Sequence, residues 1–236
     1  IINSLNNPVF KKLSNIPFNV VPQKPNENTN VVFELLISND YNLQPENISY
    51  KKYKMLRYCK IEYDFGSEYF IGGIRSYFID KYSLEAEIVQ TFEAVKSLLI
   101  EEGLTFANIV RQWNYVGRIF DIISIDNKQM QCYQIFNHVR EMFYKECDGF
   151  GEIGYPAATG VGINVNGFSM ELMAVKFDNA EIKKIVDRIK VNPYEYSDKV
   201  LVGDHLDRYA DKKARPLFER AKLVKAGKLK YYLISG

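Results

Sequence analysis

The hydrophobic period of this chain changes at residue 83, and that change does most to limit its fold. Before it, β-branched and aromatic residues fill two runs, 50–64 and 68–76, punctuated by Gly66 and Gly72-Gly73. Such runs read as strands. After it, Leu84, Ile88, Thr91, Phe92, Val95, Leu98 and Leu99 recur at three and four residues, on one face of a helix. Ser83 suits the N-cap, Glu85 and Glu87 the first turn, and Gly103 the C-terminal cap. A strand is expected over 108–116. A second helix is expected from the spacing of Met130, Tyr133, Phe136, Val139, Arg140 and Phe143. Residues 160–165 and 168–175 then alternate on either side of Asn166-Gly167, the strongest short hairpin signal.

The order strand, strand, helix, strand, helix, strand, strand implies an α+β fold, a mixed sheet with two helices packed on one face. The other face must bury against something else, which points to oligomerisation or a second domain. Residues 1–49 read as an Asn- and Pro-rich arm with a first strand at 31–38. Residues 50–177 form the main unit. Ser67-Glu-Tyr-Phe-Ile-Gly-Gly73 is echoed by Lys230-Tyr-Tyr-Leu-Ile-Ser-Gly236, so 178–236 are expected to begin a second, incomplete unit, and the chain to be a piece of a longer protein. Ile182, Ile185, Val186 and Ile189 have helical spacing but are β-branched and run into Asn192-Pro193; they are expected to form a strand. Residues 194–215 read as a long loop.

Composition excludes several classes. The chain has 236 residues, 47% hydrophobic and 25% charged, which is globular rather than disordered. No apolar run approaches the roughly 20 residues of a membrane span. Cys59, Cys132 and Cys147 are odd in number and widely spaced, and with two histidines they offer no zinc set and no disulfide framework. Reduced thiols and a cytoplasmic location are expected. No metal or cofactor is expected.

Gly149-Phe-Gly-Glu-Ile-Gly154 fits a dinucleotide pattern literally. It follows a helix instead of opening one, so it reads as a connection. Pro156-Ala-Ala-Thr-Gly-Val-Gly162 lacks the Lys-Ser/Thr of a phosphate loop and reads as a strand entry with close backbone approach, or as a cleft wall. Residues 212–230 carry eight basic side chains against one acid, Glu219. That segment is a solvated stretch or an anion site; without an RNA-binding motif, nucleic acid is not the expected partner. Within it, the planar fork of Arg220 suits a carboxylate, or a surface salt bridge with Glu219 or Asp211. His138 falls on the polar face of its helix and reads as solvated. His205 lies in a charged loop with no nucleophile placed beside it, and no catalytic residue can be assigned from spacing.

Several motifs together resemble a known family. Residues 90–110, then Arg111-Gln-Trp-Asn-Tyr115, look like the helix and strand of the RidA (YjgF, L-PSP endoribonuclease) superfamily. Trp113-Asn-Tyr115, Tyr133-Gln-x-Phe-Asn137 with Arg140, Pro156–Gly162, Asn192-Pro193 and Phe218-x-Arg-Ala221 are similar to its chorismatase-like branch, which carries two such folds in tandem. The resemblance implies trimers or pseudo-trimers with ligand clefts between neighbours. It also implies hydrolysis of chorismate by a glutamate of the second copy, beyond Gly236. Arg220 would then be a ligand-side arginine, with Tyr194, Glu195 and Tyr232 as cleft-wall candidates and a small carboxylate as the ligand. Two departures matter. The deaminase arginine of the trimeric relatives is missing from the strand at 156–159, and Tyr194-Glu195 stands where Asn-Pro is usually followed by Arg-Gln. A non-catalytic oligomerisation module, or an RNA-acting endoribonuclease, are the alternatives.

Overall fold

The computed structural model describes residues 16–17, 19–21, 44–75, 83–186, 190–204 and 212–236. The strand expected at 31–38, and His205 and Asp211, lie outside them.

Among the described residues the first strands form an antiparallel meander: β1 (Ile48–Tyr53), β2 (Leu56–Tyr63) and β3 (Gly66–Arg75). The run at 50–64 is therefore two strands rather than one. Lys54 adopts a φ of 51° and turns the chain, a conformation that its side chain does not announce in sequence. α1 (Leu84–Glu101) begins where expected, with Ser83 Oγ accepting from the Ala86 N–H, and Gly103 at φ 66° ends it. β4 (Ile109–Gly117) follows. A small hairpin comes next, β5 (Ile122–Ile125) and β6 (Lys128–Gln131), turned by Asp126 and Asn127, both at positive φ. Met130 belongs to this hairpin and not to the second helix, α2 (Cys132–Lys145).

β7 (Ala157–Ile163) and β8 (Phe168–Phe177) are not a hairpin. The main sheet runs β1-β2-β3-β8-β4-β7, so β4 lies between them, parallel to β7 and antiparallel to β8. Asn166-Gly167 instead carries the chain over the end of β4. There the Gly117 N–H donates to the Gly167 carbonyl at 2.8 Å and the Arg118 N–H to that of Ile163 at 2.9 Å. A Cβ on Gly117 would strike the Val165 carbonyl oxygen and come within 2.8 Å of the Gly167 nitrogen. A hydrophobic pattern reports which face a strand shows, not which strand is its neighbour.

Both helices cover one face of the sheet. Phe92 is fully buried among Phe106, Phe136, Phe143, Tyr144 and Phe168, with ring centroids 5.2–6.4 Å apart. The opposite face is covered by a second sheet of the same chain: β9 (Glu181–Ile185), β10 (Ala221–Ala226) and β11 (Leu229–Ile234), in the order β11-β10-β9. The strand expected over 182–189 is thus present as β9. Val110, Met173 and Val175 of the main sheet meet Val224, Ile182, Tyr231 and Leu233 of the small one. No helix among the described residues is long and apolar enough to cross a membrane.

Candidate functional site

Two stretches without regular strand, 190–196 and 212–220, come together against α2 and the start of β7. Pro193 opens a 3-10 turn (Pro193–Glu195) that presents Tyr194. The second stretch crosses the polar side of α2, where Gln134 Nε2 donates to the Ala214 carbonyl at 2.9 Å. It then aligns with β7: the Glu219 N–H donates to the Pro156 carbonyl at 3.0 Å, and Ala157 and Glu219 form a parallel bridge. This cover explains why His138, expected to be solvated, is 1% exposed. The polar face of α2 is an interior face here.

Glu219 sits under this cover, 2% exposed. Its Oε1 accepts from the Tyr155 N–H at 3.1 Å, and its Oε2 from the Tyr194 hydroxyl at 3.4 Å. Burial raises its pKa above the usual carboxylate value, opposed by that N–H and by Lys184 and Lys222. Tyr194 packs edge-on against Tyr155 at 5.7 Å, and burial together with Glu219 pushes its phenol up to about 12. Lys222, fully buried, donates from Nζ to the Gly154 carbonyl at 3.0 Å. Desolvation brings its pKa down to about 8, with Glu219 opposing. Gly154 is needed where it stands: its φ is 72°, and a Cβ there would lie 2.5 Å from Glu219 Oε1.

Arg220 points away from Glu219, as neighbours on an extended chain must. Its Nη2 donates to the Tyr196 hydroxyl at 2.9 Å and to the Val191 carbonyl at 3.2 Å. Arg215 Nη1 donates to the Tyr194 carbonyl at 3.4 Å. The Nε atoms of both arginines are buried without a hydrogen-bond partner. Tyr194 and Arg220 therefore belong to the same pair of packed stretches. Glu195 does not join them: it is exposed and accepts from Asn192 Nδ2 at 3.1 Å. Tyr232 also stands apart, 54% exposed on the outer face of the small sheet, with Lys230 5.8 Å from its ring.

Sequence reasoning missed two further groups. The first is Arg140, 2% exposed on α2. Its Nη2 donates to Asn137 Oδ1 at 2.8 Å, and its guanidinium lies 4.7 Å from the Phe136 ring and 6.0 Å from that of Phe218. Cation–π contacts are worth about 2 kcal/mol when desolvated, against several kcal/mol for burying an ion. The second is Arg111 on β4. It reaches across to β7, donating to Thr159 Oγ1 at 2.6 Å and to the Ala157 carbonyl at 3.1 Å, and stacks on Trp113 at 4.5 Å. A guanidinium therefore does reach the arginine-free stretch 156–159, supplied by the neighbouring strand. Beneath it, Tyr144 Oη donates to Gln112, Gln112 to Asn114, and Asn114 to the Thr159 carbonyl. The inward position of Lys222 was recoverable from the alternation Lys222, Val224, Ala226 along β10. The burial of Arg140 was not, because it depends on a segment some 75 residues away. Among the described residues no cluster could hold a metal ion.

Comparison with known proteins bears on this arrangement. Residues 48–174, more than half of the chain, match the family model "Chorismatase FkbO/Hyg5-like, N-terminal". No curated protein sequence matches. A chorismatase crystal structure is 19% identical with a TM-score of 0.52; the match covers 80% of this chain and 49% of that one, so the chain spans about half the length of that chorismatase. A putative translation initiation inhibitor from Salmonella typhimurium is 10% identical over 55% of this chain and 97% of its own, with a TM-score of 0.38. A member of the YjgF/YER057c/UK114 family from Mycobacterium tuberculosis is 15% identical over 48% and 86%, with a TM-score of 0.33. The mixed sheet with two helices on one face is the fold shared with the chorismatase.

Proposed function

The chain belongs to the chorismatase FkbO/Hyg5-like N-terminal family, and from that membership we propose that it binds a small carboxylate as the leading part of a chorismatase-like hydrolase. One observation carries the reading. Arg215 and Arg220, on one short stretch, each hold a buried Nε–H without an acceptor beside Tyr194 and Tyr196. A carboxylate supplies two coplanar oxygens that fit a guanidinium fork. In this role Arg220 orients the ligand, and Tyr194 and Tyr196 flank it. The acid that protonates the enol ether would come from a second unit.

The domain division proposed is an arm at 1–49, a first unit at 50–177 and the start of a second at 178–236. Its support is positional. Ser67–Gly73 and Lys230–Gly236 fall on β3 and β11, each the third strand of an antiparallel meander. Phe70 and Leu233 both face the space between the sheets. Tyr69 and Ile71 lie under the helices, while Tyr232 and Ile234 are exposed. A trimeric or pseudo-trimeric assembly in the cytoplasm accompanies this reading, and a monomer in sedimentation of the complete protein would argue against it.

The test is to incubate the complete protein with chorismate and follow pyruvate, alongside calorimetric titration of chorismate into this chain. Turnover that Arg220→Ala reduces agrees with the proposal. No turnover and no binding would overturn it. Binding without turnover selects the second reading, a non-catalytic module: residues 156–159 carry no arginine of their own, and the guanidinium that reaches them, from Arg111, is engaged with Ala157 and Thr159. An RNA-acting role is less well supported, since Lys222 of the basic segment is fully buried and unavailable to phosphate.

A further inference from the structure

We propose that Arg140 and Asn137 bind a halide-sized monovalent anion in the interior, between α2 and the stretch 212–220. Arg140 is a charge without a counter-charge among the described residues: it is 2% exposed, and no carboxylate is paired with it. The nearby acids are engaged elsewhere: Glu141 with Lys145 at 2.9 Å, Glu146 with Lys96 at 2.8 Å, and Glu219 with the Tyr155 N–H and Tyr194. Besides Asn137, the polar groups acting on the guanidinium are the phenols of Tyr133, Tyr144 and Tyr155. Tyr144 is neutral, donating to Gln112 Oε1 at 2.6 Å.

Two donors are then left over. Arg140 Nε and Asn137 Nδ2 are both buried and without a hydrogen-bond partner. They stand one helical turn apart, joined by the Nη2–Oδ1 bond that fixes which way the amide faces. Orphaned buried donors are rare and costly, and a buried cation must be neutralised or paired. One anion accepting from both groups does both. Size and chemistry follow from the surroundings. The rings of Phe136 and Phe218 lie 4.7 and 6.0 Å from the guanidinium, and with Arg140 and Asn137 both buried this apolar interior favours an ion that is small and cheap to dehydrate. The site is separate from Arg220, so it stands or falls independently of the carboxylate reading.

Bromide is the probe. Crystals of the protein grown in sodium bromide should show an anomalous peak within hydrogen-bond distance of Arg140 Nε and Asn137 Nδ2. In thermal unfolding at constant ionic strength, replacing gluconate by bromide should raise Tm by about 3–5 °C per tenfold increase above its Kd. Asn137→Asp supplies an internal carboxylate in place of the ion. It should fold and lose the bromide dependence. Absence of the peak together with equal Tm in bromide and gluconate would overturn the proposal. So would bromide dependence that persists in Asn137→Asp.

Discussion

Tyr231 of β11 donates its hydroxyl to Glu68 Oε1 of β3 at 2.6 Å, and this bond ties the small sheet to the back of the large one. Tyr63 donates to the other oxygen at 2.8 Å. Glu68 is thereby satisfied at 5% exposure, although burial still raises its pKa. Tyr231→Phe leaves one buried carboxylate oxygen without a donor. It should cost about 1–3 kcal/mol in urea unfolding, and Glu68→Gln in the same background should recover part of that loss.

Lys222 makes stability rise with alkaline pH. Its folded pKa, about 8, lies below that of an unfolded lysine. The unfolded state therefore holds the proton more tightly, and ionised Lys222 disfavours folding at pH 7. That penalty is relieved as pH climbs from about 8 towards 10. The gain should be on the order of 2 kcal/mol across that window. Urea midpoints at pH 8 and pH 10 measure it, and Lys222→Met should flatten the difference.

Glu219 acts in the acid range. Its folded pKa is raised, with burial the largest cause. Its contribution is fully present below the unfolded glutamate pKa and is lost as pH rises through the folded value. Glu219→Gln removes that titration. The variant should show a shallower fall in stability than the parent between pH 4 and pH 7, read from denaturant midpoints.

Gly117 tests the crossing over β4. Gly117→Ala drives a methyl into the 165–167 backbone and should destabilise by about 2–3 kcal/mol in thermal or chemical unfolding. Gly151→Ala, whose Cβ meets nothing within 4 Å, should change stability by no more than about 0.5 kcal/mol.

On the carboxylate reading, Arg220→Lys keeps the charge but loses the fork. Affinity for chorismate in calorimetry should fall at least about tenfold. Circular dichroism should be unchanged, since Arg220 bonds only Tyr196 and Val191 among the described residues.

Local chemistry was legible wherever one residue decides a local conformation. Ser83 and Gly103 end α1 at the expected places because a cap and a positive φ are properties of single residues. Asn166-Gly167 misled for the converse reason. It is a turn, but a turn's residues say nothing about a strand inserted between its arms. Arg220 stood out by its planar fork, and Tyr194, Glu195 and Tyr232 came with the family resemblance. The fold packs Tyr194 and Arg220 into the same pair of stretches and leaves Glu195 and Tyr232 exposed.

By itself, the sequence determined the two helices and the main strands around them, the helix-facing stripe around Phe92, and an α+β fold, because period and capping act over a few residues. Only the tertiary structure decided that β4 separates β7 from β8, that the chain's own second sheet covers the back of the first, and that the polar face of α2 becomes an interior. Those outcomes depend on which distant surfaces meet. Burial by such contacts turns Glu219 and Lys222 from ordinary charged residues into groups whose ionisation is coupled to folding, and makes Arg140 a buried cation.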